Sequence, residues 1–155
     1  MQRRRLIQTL GASTALAGLG ALGGCASVGG NQPKVVVVGG GYGGATVAKY
    51  LRLFSSNGID VTLVEPNANF VSCPISNLVV GGHKTLADIT VPYDNLARRH
   101  GVKLVRDMVE SIDADKRTVK LASGATLPYD RLILSPGIDF MLDTIPGLNK
   151  PGAQD

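Results

Sequence analysis

The sequence has no tryptophan, only 5% aromatic residues and little net charge outside its first five positions. The formal charge of +4 includes Arg3, Arg4 and Arg5, so the rest of the chain is close to neutral. Nucleic-acid-binding domains carry a basic stripe, commonly with aromatic side chains between the basic residues. Because neither feature is present, we expect no nucleic-acid partner.

A long, strongly hydrophobic run is also missing. The apolar segment at 7–22 is interrupted by glycines and falls short of the roughly 20 strongly apolar residues that a membrane span requires. With basic residues before it and small residues after it, this segment indicates an export signal over residues 1–26. The start, RRRLI at 3–7, resembles the twin-arginine signal that carries folded proteins into the bacterial periplasm; an ordinary secretory signal is the alternative.

Cysteine is nearly absent, with two residues in the chain. Cys25 follows Leu-Gly-Gly and resembles the acylated cysteine of a lipobox, which would make the product a membrane-anchored lipoprotein; cleavage after Ala26 is the alternative. Residues 27–33 are small and polar and are predicted to form a linker before a domain at 34–155. In either case that domain keeps one thiol, Cys73, unpaired in an oxidising compartment.

The residue sets of hydrolytic and metal-dependent enzymes are missing as well. The sequence shows no Ser/His/Asp arrangement, no metal-ligand spacing and no paired acid/base carboxylates. We therefore expect no catalytic residue and no metal site within residues 1–155.

A β-branched run, KVVVV at 34–38, is the first clear structural signal, and it predicts a strand buried on both faces, as in a parallel sheet. A glycine-rich loop follows at once, and apolar residues at helical spacing predict a helix over 45–54. Residues 59–64 predict the next strand, with Glu65 at its carboxyl end. This order of strand, glycine loop, helix and strand is typical of a dinucleotide-binding domain.

The glycine loop satisfies the pattern G-x-G-x-x-G with Gly39, Gly41 and Gly44. Gly39 permits a tight turn, Gly41 lets the backbone approach a pyrophosphate, and Gly44 lets the helix pack against the strand. Glu65 lies 21 positions after Gly44, where a carboxylate accepts hydrogen bonds from ribose hydroxyls and repels a 2′-phosphate. The pattern predicts FAD or NAD rather than NADP; a glycine-rich turn that binds nothing is the alternative.

The remaining segments complete an α/β fold. Residues 66–82 show no period and predict a long loop, which is usually either functional or disordered. Residues 93–100 predict a short helix stopped by Gly101, and 102–105 predict another strand. Short apolar stretches separated by turns over 108–128 predict an antiparallel meander, and 131–134 predict a last buried strand. We expect a Rossmann-like FAD/NAD(P)-binding domain, with a parallel sheet in three layers and the β-meander across one face.

The last part of this region carries a family resemblance. The meander and YDRLILSPG at 129–137 resemble the FAD domain of the pyridine nucleotide-disulfide oxidoreductase superfamily, in which a Tyr-Asp, a hydrophobic strand and an Ala-Thr-Gly-like turn approach the flavin nucleotide. Here Ser135, Pro136 and Gly137 replace that turn and keep its glycine; a plain turn after a core strand is the alternative. This resemblance, with an export route that carries folded proteins, favours FAD over NAD.

Within that superfamily the chain resembles the flavoprotein subunit of flavocytochrome c sulfide dehydrogenase. The similar segments are VVVVGGGYGGATVAKY at 35–50, LVEPN at 63–67 and CPISN at 73–77. The resemblance implies FAD held by a thioether from Cys73 to the flavin 8α-methyl carbon, oxidation of sulfide to sulfur or polysulfide, and electron transfer to a cytochrome c subunit. Together with the glycine pattern, it gives the cofactor-binding residues Gly39, Gly41, Gly43, Gly44, Glu65, Pro66, Asn67, Cys73, Val109, Ser135 and Gly137.

Local composition alone leaves the role of Cys73 open. A small buried hydrophobe, half of a disulfide with a residue beyond 155 and a redox thiol all compete with flavin attachment. Pro74 and the polar neighbours of Cys73 argue against a deep core position. The resemblance favours attachment, since a loop that leaves Glu65 can carry a thiolate from the ribose to the ring edge of an extended FAD.

Two other functions fit the same residues: a sulfide:quinone or NADH:quinone reductase, and an inert nucleotide-binding domain. The superfamily's paired redox cysteines and second dinucleotide-like domain have no counterpart in residues 1–155. We therefore expect these residues to be the N-terminal part of a longer protein and to be inactive alone.

Overall fold

The computed structural model describes residues 32–138 and, beyond them, residues 141, 144, 146 and 147. The predicted export signal over 1–26, including Cys25, lies outside the described residues. In chain order the elements are β1 (Lys34–Val38), α1 (Tyr42–Phe54), β2 (Asp60–Val64), β3 (Asn69–Val71), α2 (Ser76–Val80), β4 (Thr90–Pro92), α3 (Asp94–His100), β5 (Lys103–Val105), β6 (Val109–Asp113), β7 (Thr118–Leu121), β8 (Thr126–Pro128) and β9 (Arg131–Leu134), with short 3₁₀ turns at Cys73–Ile75 and Ala87–Ile89.

The main sheet is parallel and has the strand order β5-β2-β1-β9. Val38 at the end of β1 pairs with Val64 of β2 on one side and with Leu134 of β9 on the other. Three strands therefore end at the same level. Ligands of open α/β sheets bind outside the carboxyl ends of the strands, so this level is where a site is expected.

The valines of β1 point alternately into two cores, as strand geometry requires. Val37 is fully buried and packs with Ala48 of α1, whereas Val36 packs with Val119 and Leu121 of the meander. The layers are therefore helices, parallel sheet and meander. The predicted three-layer fold is confirmed, and so is the meander, since β6, β7 and β8 form a three-stranded antiparallel sheet.

The helices follow their predicted stop signals more closely than their start signals. Helix α1 begins at Tyr42, three residues before the predicted start, with Gly41 as its N-cap. It ends where Ser56 and Asn57 take positive φ angles of 51° and 64°. Helix α3 ends at Gly101, whose φ is 64°. Among the described residues, no helix has the length and hydrophobicity needed to cross a membrane.

The prediction of an irregular loop over 66–82 is wrong. Strand β3 lies within it and pairs antiparallel with β4, where Phe70 faces Val91. The 3₁₀ turn Cys73–Ile75 and the short helix α2 follow. A three-residue strand is too short to show an alternating pattern, and its partner strand lies far along the chain, so no local signal could reveal the pair.

Candidate dinucleotide-binding site

The glycine loop joins β1 to α1 and is held by both neighbouring strands. The amide of Gly39 donates to the Val64 carbonyl at 2.9 Å, and the amide of Ser135 donates to the Val38 carbonyl at 2.8 Å. Gly39 has a φ of +92°, and a Cβ there would lie 2.1 Å from the Ser135 carbonyl oxygen. Only glycine fits this turn, because other residues are strained at that φ and would clash with the backbone of Ser135, directly after β9.

The other glycines of the loop face different surroundings. A Cβ on Gly44 would lie 1.8 Å from the Gly39 carbonyl oxygen, so this glycine allows α1 to pack closely. A Cβ on Gly43 would lie 2.8 Å from Oγ of Ser135. Gly41 differs, since a Cβ there would meet none of the described residues within 4 Å. Its open side fits the backbone position that a pyrophosphate approaches in dinucleotide-binding loops.

Glu65 follows β2 and is fixed beside the loop. Its Oε2 accepts a hydrogen bond from the amide of Gly40 at 2.8 Å, and its Oε1 accepts from the backbone amide and Nδ2 of Asn67 at 3.0 and 2.8 Å. A carboxylate has about four acceptor positions, so roughly one remains for a ribose hydroxyl. Asn67 thus orients Glu65 in this structure, and Pro66 between them is exposed.

Tyr93 lies under the loop and was missed by sequence reasoning. Its side chain is 7% exposed, and its hydroxyl donates to the Gly40 carbonyl at 2.8 Å. Burial, with a smaller effect from the negative Glu65, raises the pKa of Tyr93 to about 12, so the hydroxyl stays protonated and remains a donor. Tyr93 and Gly40 are 53 positions apart, and a tyrosine before a helix carries no motif that could have indicated the contact.

Cys73 is exposed and forms no disulfide within the described residues, which argues against the buried-hydrophobe interpretation. It begins the 3₁₀ turn, and its carbonyl accepts a hydrogen bond from Oγ of Ser76 at 2.7 Å. The preceding Ser72 is buried, and its hydroxyl is hydrogen-bonded to the hydroxyl of Tyr42. The Tyr42 ring also packs edge-on against Phe70, with ring centroids 4.8 Å apart. The backbone next to the thiol is therefore tied to the first residue of α1.

The three remaining predicted residues lie on the meander side and at the end of β9. Ser135 lies against the glycine loop. Its carbonyl oxygen is 2.1 Å from the Cβ position of Gly39, and its Oγ is 2.8 Å from that of Gly43. Gly137 is exposed, and a Cβ there would meet no atom of the described part of the chain within 4 Å. Val109 begins β6, pairs with Leu121 and is half-buried in the core between sheet and meander.

A cavity of about 530 Å³ lies beside α1 and borders only part of this site. Its lining comes from α1, the β3–β4 pair and α3, and it includes Gly41, Tyr42 and Ser72. Glu65 and Cys73 are not among its lining residues. The cavity therefore meets the predicted path of a dinucleotide at Gly41 and then runs along the helix layer, away from the ribose position.

A parallel sheet, a glycine loop opening a helix and an acid at the next strand end define the class of Rossmann-like dinucleotide-binding domains. The family model described as pyridine nucleotide-disulphide oxidoreductase matches residues 33–155, and the chain belongs to this family. The predicted family and fold are thereby confirmed. Membership supports an oxidoreductase with FAD as its cofactor.

Three similar proteins show which members of this family the chain resembles. The flavoprotein chain of sulfide dehydrogenase (flavocytochrome c) from Chlorobaculum thiosulfatiphilum is 63% identical over 46 residues, which are 30% of this chain and 94% of that sequence. The mitochondrial sulfide:quinone oxidoreductase of Dictyostelium discoideum is 31% identical over 120 residues, 77% of this chain and 26% of that protein. The structure of sulfide:quinone oxidoreductase from Aquifex aeolicus superposes with a TM-score of 0.63 at 32% identity, covering 68% of this chain and 24% of that one. The chain spans about a quarter of the length of these two quinone-linked relatives.

Proposed function

We propose that residues 34–155 are the FAD-binding part of a sulfide dehydrogenase that oxidises sulfide to sulfur or polysulfide and passes the electrons through FAD to a cytochrome c subunit. The observation that carries nucleotide binding is the open side of Gly41 beside a carboxylate, Glu65, fixed at the same edge of the sheet. The 63% identity to the flavocytochrome c flavoprotein chain supports sulfide as the substrate and a cytochrome as the partner.

The residues of this chain bind and orient the cofactor in the proposed enzyme. The free amides at the start of α1, with Gly41, face the pyrophosphate, where the helix N-terminus favours negative charge. Glu65 accepts a hydrogen bond from the ribose and disfavours a 2′-phosphate in its place. Ser135 and Gly137 border the flavin nucleotide from the end of β9. When bound, FAD would supply the redox chemistry: it would take two electrons as HS⁻ becomes sulfur and a proton, and would release them one at a time to the haem iron of the cytochrome.

Cys73 is the proposed point of covalent attachment. Its thiolate would add to the 8-methyl carbon of oxidised flavin after that methyl group loses a proton, which would give a thioether and reduced flavin, and the two electrons would then leave to the proposed cytochrome. Two observations support this attachment. The thiol is exposed and therefore available to a ligand. It also directly follows Ser72, whose hydrogen bond to Tyr42 ties this segment to the residue after Gly41. A FAD that begins at Glu65 and crosses the loop at Gly41 would continue toward this turn.

Retention of flavin after denaturation tests the attachment. The full-length protein that contains this chain is denatured and separated on a gel, and flavin fluorescence is expected to remain with the polypeptide. Cys73→Ala is expected to release the flavin, whereas Cys25→Ala, the matched cysteine change, is expected to retain it. Release from the wild type, or retention by Cys73→Ala, would contradict the covalent bond.

A sulfide:quinone or NADH:quinone reductase is the second candidate, favoured by the similarity to the Dictyostelium and Aquifex enzymes. The electron acceptor separates the two. Sulfide-dependent reduction of cytochrome c and co-purification with a haem protein support the flavocytochrome. Rapid reduction of a soluble quinone analogue, with sulfide or NADH as the donor and no haem protein bound, supports the reductase. An inert nucleotide-binding domain would reduce neither acceptor.

We also propose that residues 1–26 export the protein to the periplasm by the twin-arginine route, with a linker at 27–33. The motif residues would be Arg3 and Arg4. Replacing both with lysine is expected to keep the protein in the cytoplasm, whereas Arg5→Lys is expected to leave export unchanged. Mass spectrometry of the mature N-terminus decides between a lipid on Cys25 and cleavage after Ala26. Export of the double-lysine variant would count against this route.

A further inference from the structure

Tyr93 holds one peptide of the glycine loop from below. Its ring is part of the core between sheet and α1, with Val37 and Ala48. Its hydroxyl donates to the Gly40 carbonyl at 2.8 Å. The fit is close, since a Cβ on Gly40 would lie 2.5 Å from the Tyr93 hydroxyl oxygen and 2.7 Å from Cζ.

Three successive peptides of this loop, from Gly39 to Tyr42, are fixed by three different partners. The peptide before Gly40 is held by the hydrogen bond from the Gly40 amide to Glu65. The peptide after Gly41 is held by the hydrogen bond from the Ala45 amide to the Gly41 carbonyl at 3.0 Å. The peptide between Gly40 and Gly41 is held by Tyr93. Glycine offers little resistance to peptide rotation, so the hydroxyl of Tyr93 supplies an orientation that these two residues do not supply themselves.

The direction of this peptide decides where the Gly41 amide points. In a planar trans peptide the carbonyl and the amide N–H point in opposite directions. Because the Gly40 carbonyl points into the core toward Tyr93, the Gly41 N–H points out of it. Within residues 32–138, this N–H has no protein acceptor. The amide is therefore available to a ligand, and among the described residues the Cβ position of Gly41 also meets nothing within 4 Å.

We propose that Tyr93 is a positioning residue for phosphate binding, whose hydroxyl turns the Gly41 amide toward the pyrophosphate of the nucleotide. The inference rests on the proposed nucleotide site at this loop. It adds a residue that touches neither the ribose nor the phosphate. A hydrogen bond from an oriented amide to a charged phosphate oxygen is among the stronger ones, so losing the orientation is expected to matter.

Paired titrations of ADP and adenosine test the proposal in the full chain. All proteins carry Cys73→Ser, so that no flavin is held covalently, and bound flavin is removed beforehand. Tyr93→Phe is expected to weaken ADP binding by about tenfold, the effect of one charge-assisted hydrogen bond, while adenosine binding changes less than about twofold. Tyr50→Phe, at a residue 41% exposed on α1, is the matched control and is expected to change neither affinity.

The ratio of the two affinities distinguishes positioning from a general structural role. Equal losses for ADP and adenosine, or full ADP affinity in Tyr93→Phe, would overturn the proposal. A second measurement on the unmutated tyrosine does not depend on how the variant folds: the amide resonance of Gly41 should shift with ADP and not with adenosine, and an unchanged resonance would also overturn it. Failure of the protein with Tyr93 intact to prefer ADP would instead refute the nucleotide site itself, and this inference with it.

Discussion

Alanine at Gly44 and alanine at Gly41 are expected to fail in different ways, although both glycines lie in one turn. At Gly44 the new Cβ would lie 1.8 Å from the Gly39 carbonyl oxygen and 3.3 Å from Cγ1 of Val37. At Gly41 it would meet no atom of residues 32–138 within 4 Å. We expect Gly44→Ala to destabilise the fold and Gly41→Ala to spare the fold but block the approach of a pyrophosphate.

The magnitudes follow from what each Cβ meets. Relieving the contact at Gly44 requires α1 to move away from the sheet by more than about 1 Å, and overpacking of this kind costs about 1–3 kcal/mol or more. The new Cβ meets backbone that cannot rotate aside, so the upper end of this overpacking range applies. The better helix propensity of alanine offsets about 1 kcal/mol of that destabilisation. A net loss of about 2 kcal/mol lowers the melting temperature by roughly 8 °C in a domain of this size. At Gly41, an N-cap, alanine costs about 1 kcal/mol or less.

Thermal unfolding and ADP titration of the two variants, all in flavin-free protein that carries Cys73→Ser, provide the assay, and each variant serves as the control for the other. We expect Gly44→Ala to melt roughly 8 °C below the wild type and Gly41→Ala to melt within about 4 °C of it. ADP affinity should fall at least about tenfold in Gly41→Ala, since a methyl group would displace a phosphate contact. A Gly44→Ala protein that melts with the wild type, or a Gly41→Ala protein that binds ADP normally, would refute the reasoning.

Three further predictions concern other contacts. Tyr42→Phe removes the hydroxyl that pairs with a buried serine and should lower the free energy of unfolding by about 1–2 kcal/mol in urea titrations, whereas Tyr50→Phe should not. Arg52 donates to three backbone carbonyls of the turns around it, so Arg52→Met should lower the free energy of unfolding by about 1–3 kcal/mol. Arg52→Lys should restore little of that stability, because lysine lacks the planar guanidinium. Arg98→Met, on the exposed face of α3, should leave the free energy of unfolding nearly unchanged. The pKa of Asp113 is lowered below 3.8, first by a hydrogen bond from a backbone amide in the turn after β6. The ionised carboxylate therefore stabilises the folded state above that pH, and this contribution is lost as the pH falls below it. Acid should lower the urea midpoint less in Asp113→Asn than in the wild type.

The sequence predicted the elements whose signals are local. The β-branched run at 34–38 favoured a buried strand, and the glycine pattern, helix and Glu65 followed in the order that a Rossmann-like unit requires. The meander was visible because each of its strands is bounded by turn residues. The stop at Gly101 was visible for the same reason, since glycine takes the left-handed conformation that ends a helix.

The contacts that shape the site are not local, and for that reason they were missed. Tyr93 reaches Gly40 across 53 positions, and no pattern marks a tyrosine for that contact. Strand β3 gains its structure from β4, which lies beyond α2. Such roles depend on three-dimensional packing, which single-sequence periodicity does not contain.

The central position of β1 sets a time order for assembly. Gly39 turns against Ser135, and the amide of Lys34 at the other end of β1 donates to the Asp130 carboxylate, 96 positions away. A nascent chain whose residue 135 is still inside the ribosome can form β1, α1 and β2. Its glycine loop then lacks the contact with Ser135 on one side. Closing so long a loop is among the slower steps of folding. A nucleotide that needs the finished loop must therefore arrive last, after the chain has folded, and the proposed export of a folded protein is compatible with that sequence of events.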